Sequence, residues 1–229
     1  DVGPSRVLPM NGRFWKKSLL LPVLLLAGCV TCDPGPNLGL YKEKLIAWHD
    51  SGDYARCFEQ AGRRGLEILR REIRHRRPGD RLAVVLDIDE TALSNWGYLR
   101  RVGFDVNAGT FFTWTRRHND PALEPTRTLF WEARRAGVPG VFITGRREPL
   151  RAFTFRQLRA AGYDGWAGLY LAPKDYDEPS IIPFKSGVRR RLEAEGWRIV
   201  LNMGDQWSDL RGGYAENTVK LPNPFYFIR

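Results

Sequence analysis

Apolar positions along the chain fall into three regimes. Residues 19–27 form a single apolar block behind Arg13, Lys16 and Lys17. From residue 41 the apolar side chains recur at helical spacing: Tyr41, Leu45 and Trp48, then Tyr54, Phe58 and Ala61, then Leu66, Leu69 and Ile73. Ser51-Gly52-Asp53 separates the first predicted helix from the next, and Pro78-Gly79-Asp80 ends the helical stretch. From residue 82 the pattern turns to short apolar runs at 82–86, 138–143, 168–171 and 198–203, as expected of strands buried on both faces. Helical periodicity over 125–136, 148–161 and 185–195 lies between them, each stretch followed by a glycine suited to a helix end, Gly137, Gly162 and Gly196. This alternation predicts an α/β fold with a mainly parallel sheet and helices on both faces. In such folds ligands bind beyond the carboxyl ends of the strands.

The block at 19–27 would span roughly 14 Å as a helix, about half a bilayer core, so it does not cross a membrane. A basic stretch, a short apolar core and small residues are the layout of a cleaved secretory signal. Leu26-Ala27-Gly28-Cys29 resembles the lipobox of bacterial lipoproteins, which implies cleavage before Cys29 and acylation of that residue. The expected layout is a signal region over 1–28 with its start at Met10, a lipidated tether over 29–37, and a folded domain over 38–229. Val30 after the cysteine points to the outer membrane, so the expected location is the bacterial cell envelope, facing the periplasm. A plainly secreted protein is the alternative. Cys32 and Cys57 are then left either to pair or to leave Cys57 as a buried thiol.

Composition narrows the class without choosing a function. With 229 residues, 43% of them hydrophobic and 27% charged, the chain suits one globular domain and excludes wholesale disorder, collagen and a disulfide-dense scaffold. The net charge of +10 comes from arginines scattered through the chain. A diffuse positive field suits anionic substrates or membrane surfaces, and no nucleic-acid partner is expected. The basic run at 70–77 reads as a solvated helix end. With no Cys-x-x-Cys pair that has His partners, no structural zinc site is expected.

Chemistry concentrates at the predicted strand ends. Asp87-Ile88-Asp89-Glu90-Thr91 places three acids in four positions after an apolar strand, which is costly unless something positive binds there. Alternation would point Asp87 and Asp89 to the same side, and clustered carboxylates suit a hard cation such as Mg²⁺. Phe142-Ile143-Thr144-Gly145-Arg146 closes the second strand with a hydroxyl and a glycine, where backbone N–H groups can cradle an anion. Lys185 is expected to open the helix after the third strand, and Gly204-Asp205-Gln206-Trp207-Ser208-Asp209 follows the fourth.

This ordered set resembles the haloacid dehalogenase-like superfamily of phosphotransfer enzymes. With Lys220-Leu221-Pro222-Asn223-Pro224-Phe225-Tyr226 it is similar, over about residues 40–229, to the subfamily IIIB acid phosphatases, a group of plant-type acid phosphatases and bacterial lipoprotein nucleotidases. The resemblance implies a Rossmannoid parallel sheet with an N-terminal helical segment and a small cap insertion at about 95–124. It also implies a Mg²⁺-dependent acid phosphatase working through an aspartyl-phosphate, with nucleoside 5′-monophosphates as candidate substrates. Asp87 would be the nucleophile and Asp89 the acid and base. The metal would be held by Asp87, the backbone carbonyl of Asp89, and Asp205. Thr144, Gly145 and Lys185 would bind phosphate, and Asp209 would orient a metal-bound water or hold Lys185. The aromatic-rich stretch from Asn95 to Trp114 would stack on a base or aryl group, or simply glue the cap to the core. Trp96 and Tyr98, nearest the nucleophile loop, are the candidate substrate contacts. His49, His75 and His118 fall outside the motifs. The competing readings are phosphotransfer to an alcohol and a non-catalytic, lipid-anchored binding or storage protein. A homo-oligomer is a candidate assembly.

Overall fold

Two helices lead into the sheet. α1 (Leu38–Asp50) begins at Asn37, whose side chain accepts the Leu40 amide at 3.2 Å, and α2 (Asp53–Arg74) follows across Gly52, whose φ of +82° makes the turn. The computed structural model describes Gly3 and residues 35–229, and Asn37–Arg229 form one compact unit. Cys29, Cys32 and the signal region apart from Gly3 lie outside the described residues. Among the described residues no helix is long and apolar enough to cross a membrane. Cys57 is exposed on α2, so the expectation of a buried thiol there fails.

The sheet consists of β1 (Arg81–Leu86), β2 (Gly140–Arg147), β3 (Gly168–Ala172), β4 (Trp197–Gly204) and β5 (Thr218–Lys220). All pairings are parallel and the order is β3-β2-β1-β4-β5, which puts β1 in the middle. Alternation along β1 shows why its apolar run is continuous. Leu82, Val84 and Leu86 pack with Phe58 and Leu69 of α2 and with Leu129 and Phe130 of α5 (Glu124–Arg135). Val85 faces the other way, with Ile199, Val188 and Leu192, the last two on α7 (Ile182–Ala194). α2 approaches the sheet closely because Gly65 lacks a side chain. A Cβ there would lie 2.9 Å from Leu129 Cδ1 and 3.0 Å from Met203 Sδ.

Three expected boundaries move. The helix predicted over 148–161 is observed as a 3₁₀ turn at Glu148–Leu150, with Pro149 in its first turn, followed by α6 (Arg151–Ala160). The helix predicted from Lys185 starts at Ile182 with Pro183 in its first turn, so Lys185 lies within that helix rather than opening it. β2 starts at Gly140 instead of Val138 and runs past Thr144, with a register shift between Thr144 and Arg147. β5, three residues long, carries no periodicity that the sequence could reveal.

The stretch between β1 and α5, where a cap was expected and which is called the cap below, holds α3 (Trp96–Arg101) and α4 (Ala108–Arg117). Asn107 caps α4 by accepting the Thr110 amide at 3.0 Å. A one-turn helix, α8 (Trp207–Leu210), follows β4.

Candidate active site

β1 and β4 are neighbours, and their carboxyl ends are tied where the Asp87 amide donates to the Met203 carbonyl at 3.0 Å. Asp87 therefore leaves β1 beside Asp205, which leaves β4. Carboxylate oxygens of Asp87, Asp205 and Asp209 all lie within 4.8 Å of one another. Gly204 permits this, since a Cβ on it would fall 2.4 Å from the Cβ of Asp209. Lys185 reaches in from α7, and its Nζ donates to Asp87 Oδ1 at 2.5 Å and to Asp209 Oδ1 at 2.6 Å.

The remaining oxygens of the two β4-side acids are held by neighbours. Asp205 accepts from Thr91 Oγ1 at 3.2 Å, Gln206 Nε2 at 2.8 Å and Asn223 Nδ2 at 2.6 Å. Asp209 Oδ2 accepts the Gln206 amide at 2.8 Å, while its backbone carbonyl takes Asn202 Nδ2 and the buried Arg189 guanidinium. No donor to Asp87 Oδ2 is present among the described side chains, and Asp87 lines the cavity.

Three buried carboxylates against one ammonium leave a formal excess of two negative charges. Burial lifts Asp87 well above the ordinary carboxylate range; Lys185 pulls it back, while Asp209 and Asp205 push it further. Burial also lifts Asp205, to about 7, with Asp209 adding to the effect. Burial opposes the Lys185 ammonium, yet Asp209 and Asp87 outweigh it and hold its pKa above the usual lysine value. A divalent cation beside Asp87 and Asp205 would cancel this excess, and the donors are hard oxygens that suit Mg²⁺. The residues fit the metal.

Asp89 is placed differently from its neighbour. Its carboxylate turns to Arg146, with NH2 donating to Oδ1 at 2.6 Å and Nε donating to Oδ2 at 2.9 Å, and Asn95 Nδ2 donates to Oδ1 at 2.9 Å. As a side chain it is therefore no part of the acid cluster, which takes Asp209 in its place. Glu90 anchors the loop from behind with φ at +51°. It accepts Tyr54 Oη and the Asn95 amide, each at 2.5 Å, and burial raises its pKa to about 7.

Acids, lysine and cap line one cavity of about 560 Å³, with Tyr98, Phe111 and Phe112 contributed by the cap and Tyr176 and Phe227 also on its wall. Residues 41–229 match the family described as HAD superfamily, subfamily IIIB (acid phosphatase). The chain belongs to this family. Stem 28 kDa glycoprotein of Glycine max is 37% identical over 151 residues, covering 63% of this chain and 59% of that protein. Acid phosphatase 1 of Solanum lycopersicum is 38% identical over 148 residues, with 63% and 58% covered. This chain thus spans a little under three fifths of those relatives' own length. Among solved structures, the class C acid phosphatase from Bacillus anthracis superposes with a TM-score of 0.68 at 20% identity, covering 83% of this chain and 86% of that one. That likeness establishes a shared fold.

The family motifs, scattered over more than a hundred residues, thus meet at one strand edge. Gly145 lines the cavity, whereas Thr144 is buried with its hydroxyl accepting the Arg146 amide at 3.1 Å. Of the two roles open to Asp209, the geometry shows the hold on Lys185. Trp96 does not line the cavity. Its ring stacks on His49 with centroids 3.6 Å apart and packs against Phe225, so the expected substrate contact is a brace between cap and α1. Tyr98 does line the cavity, but it is 1% exposed and its hydroxyl is engaged with Thr110 Oγ1 at 2.8 Å. Sequence reasoning gave no role to Arg146, Asn223, Gln206 or Asn95. Arg146, Gln206 and Asn223 stood inside the quoted motifs, and only the fold shows which acid each one serves.

Proposed function

We propose that the protein is a Mg²⁺-dependent phosphoric monoester hydrolase working through an aspartyl-phosphate on Asp87. The observation that carries this reading is the Lys185 bridge from Asp87 to Asp209, with Asp205 in reach, on the wall of an open cavity. Asp87 Oδ2 would attack phosphorus while the bond from phosphorus to the leaving oxygen breaks and its electron pair departs with that oxygen. Asp89 would give its proton to the leaving oxygen, then take one from the water that attacks the acyl phosphate and restores the Asp87 carboxylate. Lys185 and the backbone at Gly145 would hold phosphoryl oxygens. A Mg²⁺ held by Asp87 and Asp205, when bound, supplies positive charge against the repulsion between the carboxylate and the phosphate dianion.

The cap-side aromatics support leaving groups with a flat apolar body, so aryl phosphates and nucleoside 5′-monophosphates are the proposed substrates. Release of inorganic phosphate from p-nitrophenyl phosphate and from AMP, lost on chelation and restored by Mg²⁺, tests the reading. No turnover by metal-replete protein on a broad ester panel would put the storage-protein reading in its place. Phosphorylation of an added alcohol would shift it to phosphotransfer. We also propose that Cys29 is acylated and anchors the protein in a bacterial envelope, a reading supported by the leader pattern. Radiolabelled palmitate that incorporates into the wild-type chain and not into Cys29→Ser would bear on it.

A further inference from the structure

The cap-side wall of the cavity contains a buried guanidinium with no part in the reaction described above. Arg146, at the end of β2, is 4% exposed. Two of its nitrogens grip Asp89, and the third, NH1, donates to Gln157 Oε1 at 2.6 Å and to Thr154 Oγ1 at 3.2 Å, both on α6. Gln157 Nε2 donates onward to Asp120 Oδ2 at 3.0 Å and to the His118 carbonyl at 2.8 Å. Asp120 Oδ1 accepts Trp114 Nε1 from the cap helix α4 at 2.8 Å, and Phe111 of the same helix covers the guanidinium at 5.4 Å. An unbroken line of hydrogen bonds therefore joins α4 to Asp89.

The two oxygens of Asp89 are unequally engaged. Oδ1 accepts from Arg146 NH2, from Asn95 Nδ2 and, at 3.2 Å, from Arg146 Nε. Oδ2 accepts from Arg146 Nε alone, and Asp89 lines the cavity. A carboxylate offers about four lone-pair positions, so the oxygen left with capacity to exchange a proton is Oδ2.

We propose that Arg146 is a positioning residue: it fixes Asp89 with Oδ2 as the working oxygen, and through Gln157 and Asp120 the seat of the cap helix sets that orientation. This inference rests on Asp89 performing the proton transfer proposed above. The guanidinium also stabilises the carboxylate that remains once the proton has moved to the leaving oxygen. Small displacements of a proton donor are costly, on the order of a hundredfold per ångström.

The test compares kcat/KM, which covers formation of the aspartyl-phosphate, on 2,4-dinitrophenyl phosphate and on an alkyl phosphate. The dinitrophenolate leaves without a proton, whereas the alkoxide needs one. Asp89→Asn calibrates the scale, with an expected loss of about a hundredfold or more on the alkyl ester and a far smaller loss on the dinitrophenyl ester. Arg146→Lys keeps the charge but loses the two-pronged grip. It is expected to show the same selectivity, roughly tenfold or more on the alkyl ester and under about threefold on the other. Gln157→Met leaves the ion pair and cuts the link to the cap, and should show the same direction with a smaller amplitude. A uniform loss in Asp89→Asn would refute the proton-transfer role itself. A selective Asp89→Asn beside a uniform Arg146→Lys would overturn the positioning role alone. If Arg146→Lys does not fold, Gln157→Met decides on the same criterion.

Discussion

The two sides of the cavity solve opposite electrostatic problems. On the strand-end side, Asp87, Asp205 and Asp209 share one lysine and are left two charges short of balance. On the cap side, Asp89 is ion-paired with Arg146, whose remaining nitrogen bonds Gln157 and Thr154, and aromatic rings and hydrogen bonds surround the pair. The first arrangement is unfavourable until a cation arrives, so it is built to bind. The second is satisfied as it stands, so it is built to orient. Asp87 and Asp89, two residues apart on one turn, belong to different sides, and treating them as one acidic cluster misses this division.

The largest break in the comparison comes from Asp87→Asn. Turnover should fall by roughly a thousandfold or more, because the amide neither attacks phosphorus nor offers the cation a charge. Thermal stability of the metal-free variant should hold or rise, since one of three crowded buried carboxylates is gone. A phosphate-release assay beside a melting curve checks both halves. Appreciable turnover would remove Asp87 as nucleophile, and a collapsed melting temperature would mean that the strand-end side is balanced after all.

Next in size is a pH effect on the metal-free protein. Burial raises Asp205 to about 7 in the folded state, against an unfolded carboxylate near 3.9. The native state therefore holds a proton that the unfolded chain has lost between those values. The favourable contribution is complete below about pH 4 and disappears as pH rises toward 7. In chelator, the melting temperature of Asp205→Asn should gain on wild type from pH 5 to 7 and level off above. The difference between the two proteins cancels the background of acids that do not interact with Asp205, such as Glu90, and carries with it the relief of Asp87, which Asp205 pushes up. Adding Mg²⁺ should stabilise wild type more at pH 7.5 than at pH 5. A difference that shrinks with rising pH would contradict the charge excess.

The strand-end side was largely legible in the sequence because its parts are local. Each acid or hydroxyl directly follows an apolar run, and in a parallel sheet such positions converge on one edge. The cap side was not legible. Arg146, Gln157, Asp120 and Trp114 lie on separate elements and carry no shared spacing, so only packing of α4 on α6 makes them a line. Trp96 was misjudged because nearness in sequence to Asp89 stood in for nearness in space. His49, more than forty residues upstream, claims its ring face. The helix start at Ile182 was hidden because Pro183 reads as a breaker when it is a favoured first-turn residue.

The cap side also divides between rings that meet the substrate and rings that hold the cap. Phe111 lines the cavity, so Phe111→Ala should raise KM for AMP by about fivefold or more, in keeping with roughly 1 to 3 kcal/mol for a stacked base. Trp96→Ala should leave KM within about twofold while costing roughly 1 to 3 kcal/mol of stability, as a half-buried ring is lost from its contacts with His49 and Phe225. Steady-state kinetics and denaturant melts on the pair would expose a reversed assignment at once.

Tyr98→Phe should give the smallest effect. The ring edge that lines the cavity survives the change, and what disappears is a hydroxyl bridging Thr110 Oγ1 at 2.8 Å and the Asn107 carbonyl at 3.3 Å, both at the start of α4. Losing this tie leaves Asn107 and Thr110 to bond each other or water, so the cost should be about 1 kcal/mol, or a fall of a few degrees in melting temperature. Catalysis should be unchanged within about twofold, because the seat of α4 that bears on Asp89 runs through Trp114 and Asp120 rather than through this hydroxyl. A tenfold rise in KM with a normal melting curve would show the hydroxyl facing the substrate, and the cap side would then recognise its ligand through polar contacts as well as through its rings.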